Sequence, residues 1–204
     1  MKYSQHRRTL LTALAAAAGV AVAGCVPGAG MSFVRPSAPY GPTPMDVVSE
    51  MLRLANIQPF DKVFDLGCGD GRIVMAAARW YGAHGVCVDT DPWLIYEGRE
   101  NARVSKILEK IVFLNQDVFD TDIGDASVVM LALTREMNLA LRPKLENGLR
   151  PGSRIVSYMY DMGDWAPREI VRVTSGGVER PIYLWQIPSR RESIVAAAGG
   201  QGMK

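Results

Sequence analysis

The sequence predicts an α/β domain built on a mostly parallel seven-stranded sheet with helices on both faces. Three observations lead there. Short runs rich in Val, Ile, Leu and Phe alternate along the chain with segments of helical period, the pattern of parallel strands joined by helical crossovers. The run 127–133 is almost continuously apolar, as in a strand buried on both faces. The last two strand-like segments have no helical stretch between them, which calls for an antiparallel hairpin at one edge. A chain of 204 residues is long enough for one such domain and too short for two large ones.

The elements follow in order. Thr43-Pro44-Met45-Asp46 reads as a capping box with proline at the first helical position. It opens a helix that turns Val47, Met51 and Leu54 or Ala55 inward. Residues 62–66 form the first strand. Ile73, Ala76, Ala77 and Trp80 share one face of a helix over 72–81. A second strand, 85–88, ends at Asp89, and Asp91-Pro92 caps a helix running to about Val104. A third strand, 111–114, is followed by Asp117, and a fourth covers 127–133. Helical segments fill 135–149, with Pro143 restarting the helix. Leu149-Arg150-Pro151-Gly152 turns into a fifth strand, 153–158, and 170–173 and 181–188 close the sheet. No internal repeat is present.

The chemistry concentrates at Asp65-Leu66-Gly67-Cys68-Gly69-Asp70-Gly71-Arg72. A buried strand, a glycine turn and a helix start make a nucleotide-binding corner, where the backbone approaches a ligand closely and the helix offers unpaired N–H groups. A dinucleotide fingerprint, G-x-G-x-x-G, would need glycine at Arg72. Here the third glycine comes one residue earlier, and an acid precedes the first by two. This D-x-G-x-G-x-G form resembles motif I of class I S-adenosylmethionine methyltransferases. Three acids, Asp65, Asp89 and Asp117, stand at the carboxyl ends of three strands, where open α/β sheets bind ligands. The cofactor has donors at three separated places: an amino group, ribose hydroxyls and the adenine amine. The resemblance implies a Rossmann-like fold with S-adenosylmethionine as cofactor. It places Asp65, Gly67, Cys68, Gly69 and Gly71 at the methionine end, Asp89 on the ribose, and Asp117 on the adenine amine with Gln116 and Val118 flanking the base.

The resemblance extends to Pro39-Tyr40-Gly41-Pro42-Thr43-Pro44, to Asp161-Met162-Gly163-Asp164-Trp165 and to Ile182-Tyr183-Leu184-Trp185-Gln186-Ile187-Pro188. Over about residues 39–188 the chain resembles a bacterial group related to the mitochondrial lysine methyltransferases of ATP synthase subunit c and the adenine nucleotide carrier. One segment departs. Where that family has a Tyr-Leu-Leu-Pro-like run after the fourth strand, this chain has Ala132-Leu133-Thr134-Arg135. Tyr40, Thr134, Asp161 and Trp165 are the substrate-side candidates, each with a plainer role open to it as hinge aromatic, solvated polar residue or core tryptophan. No catalytic base stands out, because a neutral amine attacks a sulfonium methyl once it is aligned and shielded from water.

The N-terminus reads as a targeting segment. Lys2, Arg7 and Arg8 precede an apolar stretch from Leu10 to Ala23 that is short for a bilayer span. Arg7-Arg8 resembles a twin-arginine export signal, and Val22-Ala23-Gly24-Cys25 a lipoprotein box with Cys25 as the lipidated residue. Ordinary cleavage after Ala21-Val22-Ala23 and an uncleaved membrane anchor are the alternatives. Residues 1–24 hold three basic residues and no acid, so without them the formal charge of +2 becomes −1. That balance, and the lack of a Lys/Arg stripe, speaks against nucleic acid as partner. The lack of an Asp/Asn-Pro-Pro-Tyr motif speaks against methylation of DNA base amines. Residues 25–38 read as a linker and 189–204 as a disordered tail. Cys68 and Cys87 are expected to pack as small hydrophobes, since two cysteines make no disulfide framework. No metal site is expected.

Two functions fit. One is an N-methyltransferase acting on a protein lysine or a small amine, held on the outer side of a bacterial membrane by lipid. The other is an exported lipoprotein of the same fold that binds a ligand or partner without catalysis.

Overall fold

The structure, a computed structural model, describes residues 35–188. The expected signal segment, Cys25 and the tail 189–204 lie outside the described residues. The strands are β1 (Lys62–Leu66), β2 (His84–Asp89), β3 (Ile111–Asn115), β4 (Val128–Leu131), β5 (Arg154–Tyr158), β6 (Glu169–Ser175) and β7 (Val178–Gln186). The helices are α1 (Met45–Leu54), α2 (Arg72–Tyr81), α3 (Pro92–Val104) and α4 (Arg135–Gly148), with one 3-10 turn at Leu108–Lys110.

One seven-stranded sheet runs in the order β3-β2-β1-β4-β5-β7-β6. The first five are parallel neighbours, and β7 pairs antiparallel with both β5 and β6. The order reverses beside β1, between β2 and β4, which opens a crevice at the carboxyl ends of these strands.

Strand alternation sorts the core into two layers. Val63, Cys87, Val128 and Met130 face α1, α2 and α3 with Met51, Val74 and Ala77. Phe64, Leu66, Val86, Val88, Val129 and Leu131 face α4 with Leu141, Leu145 and Trp185. Asp65 falls between Phe64 and Leu66, so the pleat turns its carboxylate into the first layer, where it is 1% exposed. At the opposite end of the sheet, buried Asp61 accepts hydrogen bonds from Gln58 N (2.7 Å) and Ser127 Oγ (2.7 Å) and pairs with Arg154. That knot ties β1, β4 and β5 together at their amino ends.

Two local expectations are corrected. Pro44 is the N-cap of α1 rather than its first residue, so Thr43 sits too early to cap and makes no capping hydrogen bond. Its carbonyl accepts from Arg72 Nη1 instead (3.0 Å). Pro143 lies inside one unbroken α4, capped by Thr134 Oγ1, which accepts from Met137 N at 3.3 Å. Asp91 caps α3 as expected, accepting from Trp93 N at 2.8 Å. No helix among the described residues is long and apolar enough to cross a membrane.

Candidate functional site

β1 delivers Asp65 to the crevice and the chain then turns through three glycines with positive φ: 78° at Gly67, 55° at Gly69 and 76° at Gly71. Side chains resist this region, and glycine enters it freely. The turn is stitched to the end of β2. Gly67 N and Cys68 N donate to Val88 O at 2.8 and 3.0 Å, and Gly69 N donates to Asp89 Oδ2 at 2.9 Å. A Cβ on Gly69 would stand 2.5 Å from the Tyr40 ring, so the turn also needs glycine for room.

Above the turn lies a cavity of about 420 Å³. Asp65, Gly67, Cys68, Gly69, Asp89, Asp117 and Val118 all line it. The three acids are in three different states. Asp65 is buried and neither carboxylate oxygen has a hydrogen-bond partner. Burial, then the charges of Asp89 and Asp70, push its carboxyl well above the usual carboxylate range. Asp89 is held by two backbone donors, Gly69 N and Asp91 N, the latter at 3.0 Å. Asp117 accepts from Phe119 N at 2.8 Å and from Arg35 Nη1 at 2.9 Å.

An unpartnered buried carboxyl is costly. A ligand ammonium in the cavity would ionise it and remove that cost. This set of acceptors therefore fits S-adenosylmethionine: a lone acid for the amino group, a held acid for hydroxyls, and a third acid beside apolar Val118 and Phe119 for a base. Two expected residues stand elsewhere. Gly71 is the N-cap of α2, and Gln116 donates its backbone N to Asp89 O at 3.0 Å. Neither lines the cavity.

A second cavity, of about 330 Å³, shares a wall with the first, formed by Ala38, Pro39, Pro42, Thr43, Ala132 and Leu133. Thr134, Tyr158, Met159 and Arg180 line its other sides. Met159 has φ of 72°, and its N donates to Pro181 O at 2.9 Å. A methionine in left-handed backbone is uncommon and points to a site. Nothing in the sequence signals it; nor does the sequence mark Arg180, which follows Glu179 on β7.

Of the substrate-side candidates, Tyr40 lines the first cavity and Thr134 the second. Asp161 and Trp165 line neither. Asp161 accepts from Gly163 N (2.9 Å) and pairs with Arg135 (3.4 Å). Trp165 packs 6.0 Å from the Trp185 ring, and its carbonyl accepts from Trp185 Nε1 at 2.8 Å. Both hold the loop after β5 in place.

Cys68 and Cys87 are not separate packing residues: they form a disulfide, with Cα atoms 5.3 Å apart. Asp65 is in register with Cys87 across the parallel β1–β2 pair. The turn after β1 carries Cys68 back over that neighbour, and pairing is a matter of this register. The bond fastens the glycine turn to β2, one strand end from Asp89. Residues 35–38, the end of the expected linker, line the first cavity and belong to the compact domain unit, which begins at Arg35. Among the described residues no group of three or more His, Cys, Asp or Glu could hold a metal.

A family model described as the ANTKMT methyltransferase domain matches residues 65–169. A protein-lysine N-methyltransferase of Saccharolobus islandicus is 37% identical over 158 residues, 77% of this chain and 98% of that protein. The mouse adenine nucleotide translocase lysine N-methyltransferase is 29% identical, over 72% of this chain and 62% of its own length. Among solved structures, an RNA methyltransferase from Salinibacter ruber in complex with S-adenosyl-L-homocysteine superposes with a TM-score of 0.70 at 42% identity, over 74% of this chain and 95% of that one.

Proposed function

The chain belongs to the ANTKMT methyltransferase domain family and is an S-adenosylmethionine-dependent methyltransferase, and on that premise we propose that its acceptor is the side-chain amine of a protein lysine. The observation that carries this reading is the second cavity. It adjoins the first through common lining residues, and Pro39, Pro42, Pro44, Ala132, Leu133 and Met159 make most of its lining apolar. An apolar sleeve of this kind suits the aliphatic stem of lysine and offers few partners to the polar edge of a base.

S-adenosylmethionine supplies a methyl group on a sulfonium, ready for in-line displacement. In this reading Asp65 holds the ammonium, Gly67, Cys68 and Gly69 cradle the methionine end, Asp89 takes the ribose hydroxyls, and Asp117 and Val118 meet the adenine. Where the two cavities adjoin, at Ala132 and Leu133, an amine entering from the second would meet the methyl group from the side opposite the sulfur, the alignment that displacement requires. A lysine must arrive neutral to attack. The apolar lining disfavours its ammonium form, and the Arg180 guanidinium disfavours it further by like-charge repulsion. Positioning and a shifted acceptor pKa then suffice without a dedicated base.

The Salinibacter relative's acceptor is RNA, which favours a second reading. The absence of a basic stripe and the apolar sleeve weigh against it. The reading also covers location. The lipoprotein-like N-terminus supports export and lipid attachment at Cys25, and the Cys68–Cys87 disulfide supports an oxidising compartment, where such bonds persist. A lipid anchor would concentrate the domain beside membrane proteins without any new contact.

The test is tritiated S-adenosylmethionine with the purified protein and envelope extract from a strain lacking it. Label on a discrete band that protease removes and ribonuclease leaves is the expected result. Label that ribonuclease removes would replace the lysine reading with the RNA one.

A further inference from the structure

Residues 35–43 form one wall of the first cavity. Pro36, Pro39, Pro42 and Pro44 recur through this stretch. Each fixes its own φ and holds the residue before it extended, so the stretch is a stiff strap that loses little freedom on docking. Its inner end is built in. Arg72 Nη1 donates to Thr43 O, and Pro44 O accepts the first backbone hydrogen bond of α1, from Val48 N at 2.9 Å. Its middle rests on the glycine turn through Tyr40. Between these points and Arg35 the backbone of residues 36–42 makes no hydrogen bond to the rest of the described chain.

Among the described residues, the outer end hangs on one side chain. Arg35 Nη1 donates to Asp117 Oδ2 (2.9 Å) and Asp120 Oδ2 (2.8 Å), Nη2 donates to Asp120 Oδ1 (2.9 Å), and the guanidinium lies 5.6 Å from the Phe119 ring centre. The Arg35 and Asp120 side chains are 48% and 58% exposed. Ion pairs this exposed are weak and screened by salt. A strap fixed at one end and held at the other by a weak polar clasp is built to open.

We propose that Arg35 and Asp120 are the latch of a cofactor strap, positioning residues that set how fast S-adenosylmethionine and its product leave the site. This rests on assigning the first cavity to the cofactor. Asp120 does not line that cavity, and among the described residues its carboxylate bonds only to Arg35. It therefore reports on the latch without touching the cofactor's surroundings. Asp117 is shared: Arg35 holds the acid expected at the adenine, so closure of the strap and order at the adenine end come together.

The experiment preloads tritiated S-adenosylmethionine on wild type, Asp120→Asn, Arg35→Gln and the double variant, then chases with unlabelled S-adenosylhomocysteine at low and high salt. Release from Asp120→Asn should be roughly two- to fivefold faster than wild type at low salt. High salt should speed release from wild type more than from Asp120→Asn, which keeps the Arg35–Asp117 pair, and should leave Arg35→Gln unmoved. The double variant should release no faster than Arg35→Gln alone, and all four should melt at the same temperature. Asp89→Ala serves as the control on the cavity. Wild-type release from Asp120→Asn and Arg35→Gln, with binding lost in Asp89→Ala, overturns the latch alone. Undiminished binding in Asp89→Ala overturns the cavity assignment and the latch with it.

Discussion

Replacing Cys87 by alanine removes the cross-link between the glycine turn and β2. The bond joins residues 19 apart in sequence. Closing a loop of that length restricts the unfolded chain, and the chain-entropy relation gives about 3 kcal/mol at 25 °C. Cys87 is fully buried, and its sulfur would lie 3.3 Å from a Cβ on Gly71, so alanine also leaves a small void. That adds on the order of 1 kcal/mol for the lost heavy atom. Urea denaturation reads the total. With a slope near 2 kcal/mol per molar for a domain of this size, the midpoint should fall by about 2 M. The slope itself should rise, because the uncross-linked unfolded chain exposes more surface. The double variant Cys68→Ala/Cys87→Ala should cost far less than the sum of the singles, since either single already breaks the bond. Additive singles, each worth a few tenths of a kcal/mol, would refute the cross-link. So would alkylation of both Cys68 and Cys87, mapped by mass spectrometry, in the denatured, unreduced protein.

Three further outcomes follow from the same geometry. Asp65→Asn should weaken S-adenosylmethionine binding by about 2 kcal/mol in calorimetry, the scale of a hydrogen bond to a charged group. In the free protein burial makes Asp65 hold its proton above the usual carboxylate range, so from that ordinary range up to its raised titration the folded state binds more protons than the unfolded. Stability should fall as pH rises through that window, and Asp65→Asn should flatten the slope. Asp61→Ala should cost about 3 kcal/mol in the same urea assay, because it leaves Arg154 and two further donors without their buried acceptor. Arg180→Gln should move the rising limb of the pH–kcat/KM profile upward by on the order of one pH unit, as the acceptor amine loses a neighbouring positive charge; an unmoved limb would remove Arg180 from the acceptor side.

The parts of the site that sequence makes legible are those set by local pattern. Asp65, Asp89 and Asp117 stand within or just past the carboxyl ends of three apolar strands, and an acid at that place faces the crevice whatever the loops do. The glycine spacing, with Arg72 where a dinucleotide site needs glycine, separates one cofactor class from another. Asp91 beside Pro92 is a cap for local reasons as well, which leaves Asp89 as the acid for the ribose, although both line the cavity. The parts that sequence misses are set by register and by chain reversal. Cys68 and Cys87 meet only because β1 and β2 are neighbours in one alignment. The strap at 35–43 has the composition of a linker, and only its return across the sheet end makes it a wall. Thr43 has the spacing of a cap, but Pro44 takes the cap position and Thr43 turns to the wall. Trp165 and Asp161 carry part of the family likeness through loop structure and touch no cavity. Pro143 reads as a helix break, yet α4 runs through it.

The lysine reading is tested most directly by tandem mass spectrometry of envelope proteins from a strain lacking this protein, after incubation with the purified, oxidised protein and S-adenosylmethionine. Methyl groups should appear on the side-chain nitrogen of lysine in one or a few proteins, and should be absent when Asp65→Asn replaces wild type. Methylation confined to a nucleotide base, to a carboxylate or to a free small molecule, with every protein lysine unmodified, would contradict it.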